Sequence, residues 1–368
     1  MRVSCNVGGR LRSFDEPERL IVARNGAEVE AAFREVEAAL EGGAYVAGYA
    51  SYELGAHFVP KQAEPHAGEL PLLAFGVYGQ PRETSLAGAG AGAYSLGAFE
   101  PAVDSLRYEE DLSAILAAIR DGDVYQVNYS VPFAFAFEGE PFALFADLLA
   151  GGSYPHAAFI DMPACAIVSA SPELFVALEA GRLVTKPMKG TAKAGDARQL
   201  ENPKNRAEHV MIVDLLRNDV HRISDDVAVE RLCEIERYQH FSTMTSTIAG
   251  TIDPALSLRD IFAAMFPCGS VTGAPKVAAM QCIARTERRN RGIFCGAIGY
   301  IGPDRRASWN VAIRTATIDK ASGRGRLAIG GGIVADSTVS GEWEEILTKL
   351  APFAALVRPV SLQTPQRT

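Results

Sequence analysis

The feature that most constrains the fold is a pattern. Short β-like runs recur along the chain in hairpin-like pairs, broken by amphipathic helical stretches, with no regular alternation of one strand and one helix. A doubly wound parallel sheet needs that alternation, because each parallel strand returns through a crossover helix. Its absence predicts an antiparallel-rich α+β fold. The β-like runs include Ala44-Tyr45-Val46-Ala47-Gly48-Tyr49 and residues 124–137, 296–301, 310–318 and 327–334. Helical spacing predicts a helix over 27–40, where Val29, Phe33, Val36 and Leu40 recur, and another over 107–120, carried by Leu112, Ile115, Leu116 and Ile119. Further helical stretches span 203–223, 258–266, 274–286 and 341–350. No repeat at a period of about 20 to 50 residues is visible, which argues against solenoids and propellers.

Residues 81–101, with Ala87-Gly88-Ala89-Gly90-Ala91-Gly92, are small and low in complexity and read as a surface loop or linker. At 48% hydrophobic and 22% charged residues, the 368-residue chain has the composition of a globular body with a sizeable core. A net charge of -8 argues against nucleic acid as the partner, so an anionic substrate would require locally gathered cations or a metal. Six cysteines without a Cys-x-x-Cys pair, no signal-like N-terminus and no apolar stretch of about 18 residues predict a reducing cytoplasm and no membrane span.

Several groupings carry chemical potential. Glu208 lies on a partly apolar helical stripe with Asn205, Ile212 and Leu215. Glu342, Glu345 and Lys349 follow i, i+3, i+7 spacing and project from one side of a second helix. Hard oxygen ligands converging from two helices suit Mg²⁺, although a carboxylate on a helix is ordinarily a solvated surface charge. Ser270-Val271-Thr272-Gly273-Ala274-Pro275-Lys276 reads as a helix start, which serves equally as a plain cap or as an anion site. Arg314 is a cation inside an apolar run and needs a carboxylate or an anionic ligand. Gly330-Gly331-Gly332 lacks P-loop spacing. His240, Glu173 and the run Lys186-Pro187-Met188-Lys189-Gly190-Thr191 carry little signal singly.

Taken in order, these runs resemble the chorismate-utilising enzymes, which include anthranilate, aminodeoxychorismate, isochorismate and salicylate synthases. The resemblance spans roughly residues 107–350 and rests on Asp123-Val124-Tyr125-Gln126-Val127-Asn128, Ser171-Pro172-Glu173-Leu174, Lys189-Gly190-Thr191, the helix over 206–219, Gly273-Ala274-Pro275-Lys276, Gly299-Tyr300, Ile313-Arg314-Thr315 and Gly330-Gly331-Gly332-Ile333-Val334-Ala335-Asp336-Ser337. It implies two large, roughly orthogonal antiparallel-rich sheets packed together with helices outside. Residues 1–100 would add strands to the same body, 101–358 would form the chorismate-binding catalytic region, and 359–368 a tail. It further implies Mg²⁺ held by Glu208 and Glu345, with Glu342 acting through water. Arg314, Lys349 and the Gly332 amide would hold substrate carboxylates, with Ser270 beside them and Thr191, Gly331 and Phe294 also at substrate-binding positions. Asn205 stands where some relatives carry a carboxylate, and Phe294 replaces a common tyrosine, removing one hydroxyl contact.

Within the family, water-adding members usually place a lysine where this chain has Gln126, so Gln126 implies ammonia as nucleophile. Anthranilate synthases typically carry alanine at the position of Lys189; lysine in a Pro-Ile-Lys-Gly-Thr setting, here with Met188 for isoleucine, implies amination at C4 of chorismate through a lysine adduct. Glu173 would donate a proton to the leaving hydroxyl, and His240 would position or stabilise the group at C4. No glutaminase-like Gly-x-Cys-x-Gly elbow is present, so ammonia is expected from a separate glutamine amidotransferase subunit. The alternatives are anthranilate formation and a chorismate- or tryptophan-binding regulatory protein without catalysis.

Overall fold

A computed structural model of the chain describes residues 1–59, 62, 68, 70–85, 92–193, 200–238 and 241–358. Among these residues, antiparallel pairing builds two large sheets, as the sequence pattern predicts. The first runs Gly273–Ala274, Gln126–Gly139, Arg324–Ile333, Thr315–Asp319, Cys165–Ser169, Ala158–Asp161, Arg2–Val7, Arg10–Phe14 and Arg82–Ser85, with Tyr94–Leu96 and Glu100–Pro101 also on the long strand Gln126–Gly139. The second runs Met188–Lys193, Phe241–Thr251, Arg182–Lys186, Leu174–Glu179, Ala307–Val311, Ala297–Ile301, Tyr45–Ala50, Leu73–Tyr78 and Arg19–Ala23, with Ala228–Arg237 on Phe241–Thr251.

Strand alternation explains why the sheets stack. In Tyr45–Ala50 and Ala297–Ile301, Ala47, Tyr49, Ile298 and Tyr300 point to one face, where they meet Val3, Phe14, Ile160 and Ile167 of the first sheet. Phe14 lies 5.3 Å from Tyr300 and 5.6 Å from Tyr78, centroid to centroid. The opposite face of the second sheet carries Phe75, which packs on Trp309, and Trp309 packs on Phe262 of the helix Leu258–Met265; Phe262 in turn contacts Phe33 of the helix Gly26–Glu41. Fully burying each such side chain contributes about 1.5–3 kcal/mol. The helices begin where polar side chains cap them: Ser257 and Asp260 form a reciprocal capping box, and Asp104 and Thr338 accept from the amides of Arg107 and Gly341. These caps start Ser105–Arg120 and Val339–Ala354 two residues earlier than the apolar spacing indicates.

Strand Arg2–Val7 pairs with Ala158–Asp161, and Tyr45–Ala50 pairs with Ala297–Ile301, so the first hundred residues are woven into both sheets. Two sequence expectations are corrected. The loop read over 81–101 contains strand Arg82–Ser85 on Arg10–Phe14 and strand Tyr94–Leu96 on the end of Gln126–Gly139, because Tyr94 and Leu96 are buried and Tyr94 stacks on Phe137. The β-like run over 310–318 is two strands in different sheets, Ala307–Val311 and Thr315–Asp319, joined by a crossing at residues 312–314. Val311 and Ala312 are fully buried on the way across, so hydrophobicity does not mark the crossing. The expected tail, 359–368, lies outside the described residues.

Candidate active site

A cavity opens between the sheets where the glycine strand Arg324–Ile333, the edge strand Met188–Lys193 and the helix Val339–Ala354 approach one another, with Arg314 on the crossing as a further wall. Lys189 reaches it because of a local irregularity. Its strand shifts register between Lys189 and Thr191 against Phe241–Thr251, and Gly190 at φ +67° supplies the extra residue. A Cβ at Gly190 would also lie 2.8 Å from the Leu200 side chain.

Lys189 Nζ donates to Gln126 Oε1 at 3.3 Å. Gln126 is fully buried, and its Nε2 has no hydrogen-bond partner among the described residues, leaving a donor for a bound molecule. Burial holds the Lys189 ammonium below its ordinary range; Glu208 opposes this and Lys349 reinforces it. The backbone of the glycine strand comes close: a Cβ on Gly332 would lie 2.9 Å from Lys189 Nζ and 3.1 Å from Gln126 Nε2. One position earlier, strand alternation turns Gly331 to the helix, where a Cβ would meet Glu342 Oε2 at 3.1 Å and Glu345 Oε1 at 3.6 Å.

Glu173, just ahead of the strand Leu174–Glu179, is 2% exposed. Burial pushes its carboxyl from 4.5 up to about 7, although the Ser270 hydroxyl donates to Oε1 at 2.6 Å and the Met188 amide and the Lys189 charge favour the ionised form. Such a group holds a proton near neutrality and can release it, the property of a general acid–base. The helix-start reading of Ser270 is corrected: the residue sits in the short turn Gly269–Val271, the helix begins at Lys276, and the Ser270 hydroxyl is committed to Glu173. Lys276 pairs with Asp219 at 2.7 Å.

The carboxylates expected to hold Mg²⁺ come from two helices. In Val339–Ala354, Glu345 pairs with Lys349 at 2.6 Å, Lys349 also donates to the Gly330 carbonyl at 2.8 Å, and Glu342 accepts from the Ser337 hydroxyl at 2.5 Å. In Pro203–His221, begun by the Asn202 cap and Pro203, buried His209 bonds Ser246 at 2.7 Å and anchors the helix to strand Phe241–Thr251, with Glu208 beside it. Burial raises the Glu342 carboxyl, and the charges of Glu345 and Glu208 raise it further, so the three carboxylates sense one another across this end of the cavity. Among the described residues no three acidic, histidine or cysteine side chains are gathered closely enough to hold a metal ion. Carboxylate oxygens are the donor type that Mg²⁺ takes, and it needs few of them because it keeps several waters.

Arg314 is buried and adopts φ +50°, unusual for a non-glycine residue, as the chain passes between sheets. It hydrogen-bonds Tyr154, and burial lowers its pKa. Phe294 is buried in the cavity wall under the Arg291 guanidinium, 5.6 Å from the ring. Asn205 lies in the first turn of the Glu208 helix, its amide capped by Asn202. Thr191 is in the edge strand but its side chain lies outside the described residues, as does His240 entirely. Tyr154, His209 and Cys268 were not singled out by sequence; each acts through a partner distant in the chain or in an unremarkable local run, and no spacing signals them.

The two-sheet body thus gathers a half-buried lysine, a buried acid and outer carboxylates around one cavity. The chain belongs to the family of chorismate binding enzymes, whose pattern matches residues 91–355. It is 37% identical over 256 residues to anthranilate synthase component 1 of Aquifex aeolicus, covering 66% of this chain and 51% of that protein. It is 38% identical over 254 residues to aminodeoxychorismate synthase component 1 of Salmonella typhimurium, covering 66% and 56%. With the aminodeoxychorismate synthase component 1 of Klebsiella aerogenes it shares 34% over 342 residues, 82% of this chain and 75% of that one. The chain thus spans about half the length of the first two relatives. The fold matches anthranilate synthase component I of Streptococcus pneumoniae with a TM-score of 0.77 at 24% identity, over 95% of this chain and 89% of that one. No described helix is long and apolar enough to cross a membrane.

Proposed function

We propose that the chain is the chorismate-aminating component of an aminodeoxychorismate synthase, replacing the C4 hydroxyl of chorismate with ammonia to give 4-amino-4-deoxychorismate in 4-aminobenzoate and folate biosynthesis. The observation that carries the reading is Lys189: a half-buried amine with a depressed pKa, held by Gln126 and close to the Gly332 backbone. A neutral amine is a nucleophile, and burial favours neutrality. The Lys189 amine attacks ring C2; the double bonds shift and the C4–O bond breaks, while Glu173 protonates the departing hydroxyl, which leaves as water. Ammonia then attacks C4, the double bonds shift back, the C2–N bond breaks, and Lys189 is released as the proton surplus returns through Glu173. Arg314, Lys349 and the Gly332 amide hold the substrate carboxylates. Glu208 and Glu345, with Glu342 through water, would hold Mg²⁺, which would supply positive charge opposite the ring carboxylate.

Ammonia is supplied by a separate glutamine amidotransferase subunit, a reading that the component 1 names of the relatives support. The second reading, anthranilate formation, is favoured by the comparable identity of the Aquifex relative. Purified protein with chorismate, Mg²⁺ and an ammonium salt should form 4-amino-4-deoxychorismate without releasing pyruvate. Anthranilate as the main product would overturn the proposal, and no turnover with any ammonia source would favour a regulatory protein. Lys189→Ala should abolish the adduct and leave at most slow direct amination; wild-type turnover would make Lys189 a bystander.

A further inference from the structure

Behind Glu173 lies a short hydrogen-bonded relay that the proposed mechanism does not use. Cys268, Ser270 and Glu173 are all buried; Cys268 Sγ is 3.1 Å from Ser270 Oγ, and Ser270 Oγ is 2.6 Å from Glu173 Oε1. A serine hydroxyl has one proton. When that proton is given to Glu173, the hydroxyl can take part in the Cys268 contact only as acceptor, so the thiol must be the donor. Burial pushes the Cys268 thiol up to about 12, which keeps the S–H in place across the working pH range.

We propose that Cys268 and Ser270 are positioning residues for Glu173: the thiol donates to the Ser270 hydroxyl, the hydroxyl donates to Oε1, and the acid proton is thereby confined to Oε2. The inference rests on Glu173 being the acid of the proposed reaction. It takes the Ser270 hydroxyl away from the substrate carboxylates and gives it an electrostatic role. The hydroxyl supports the carboxylate left after proton donation, so that Glu173 is a stronger acid than burial alone would allow. The charged groups facing Glu173 are Lys189 and Lys349, and its other titratable neighbours are the thiols of Cys268 and Cys295. Both lysines favour ionisation, but neither selects one oxygen. The relay does, because it ends on Oε1; the Met188 amide also supports the carboxylate.

The test is an infrared pH titration of the carboxylic acid C=O band that Glu173→Gln removes, run on the full chain. Ser270→Ala should move the midpoint of that band upward by about one pH unit, the loss expected of one hydrogen bond to a charged group. Ser270→Thr should restore the wild-type midpoint. Cys268→Ala should shift it in the same direction by less, and Cys268→Ser should restore it; the Cys268 pair carries the test if Ser270→Ala fails to fold. In kinetics, the high-pH fall of kcat should move with the band while KM for chorismate changes little. An unmoved band in Ser270→Ala and Cys268→Ala, or a raised KM with an unmoved pH limb, would overturn the proposal and return Ser270 to the substrate. The band reports Glu173 whichever product forms, so a shifted band alongside anthranilate production leaves the relay standing and removes the C4 reading.

Discussion

Replacing Glu173 by glutamine tests the buried acid through stability, without reference to any reaction. Glutamine has nearly the same shape and keeps an oxygen that can accept from Ser270, so the packing of the site is preserved. In the folded chain the Glu173 carboxyl is raised from 4.5 to about 7, so between those values the folded chain holds the proton that the unfolded chain has released. The stability contributed by that proton is complete below 4.5 and is lost as pH rises through 7. At about 1.4 kcal/mol per pH unit of displacement, the raised Glu173 pKa costs the folded chain about 3 kcal/mol well above pH 7, where the group is ionised, and about 1 kcal/mol at pH 5.5, where it must take up a proton that the unfolded chain has released. Glutamine carries neither cost. The stability of Glu173→Gln relative to wild type should therefore rise by about 2 kcal/mol between about pH 5.5 and 8.5. Urea denaturation of both proteins at the two pH values reads this directly. Parallel pH dependence would refute the reasoning and place the Glu173 carboxyl in an effectively aqueous setting.

Other outcomes follow from the same geometry. Gly332→Ala puts a methyl 2.9 Å from the flexible Lys189 Nζ, so the chain should fold with little loss of stability while amination falls at least tenfold, as measured by turnover beside a denaturation midpoint. Removing Mg²⁺ with a chelator should abolish turnover and readdition should restore it; Glu345→Gln should raise the Mg²⁺ concentration needed for half-maximal activity by about tenfold or more. His209→Ala opens a cavity under the Glu208 helix and leaves Ser246 with only the Cys233 amide, costing about 2–4 kcal/mol by urea denaturation. Arg314→Gln should raise KM for chorismate by tenfold or more with a smaller effect on kcat, in steady-state kinetics, if the guanidinium holds a substrate carboxylate.

Much of the architecture was legible in one dimension because it depends on periodicity. The unbroken apolar runs Tyr45–Ala50 and Ala297–Ile301 mark strands with two buried faces, and the apolar spacing from Val29 to Leu40 marks the helix Gly26–Glu41. The crossing at residues 312–314 was not legible, since a run buried in one sheet and then in the other has no polar break. Tyr94–Leu96 was hidden by its small, glycine-rich neighbours.

By itself the sequence determined the family, through ordered motifs, and with it the residue types available for chemistry: a lysine, an isolated glutamate, a glutamine and carboxylates at helical spacing. Only the tertiary structure decided what state those residues are in. Lys189 is depressed and Glu173 raised because the packing of two sheets, whose strands are far apart in the chain, shields the one in part and the other almost wholly from water. Desolvation is a property of the surroundings, and local spacing carries no record of it. For the same reason Ser270 read as a helix start in sequence and is the donor to a buried acid in space.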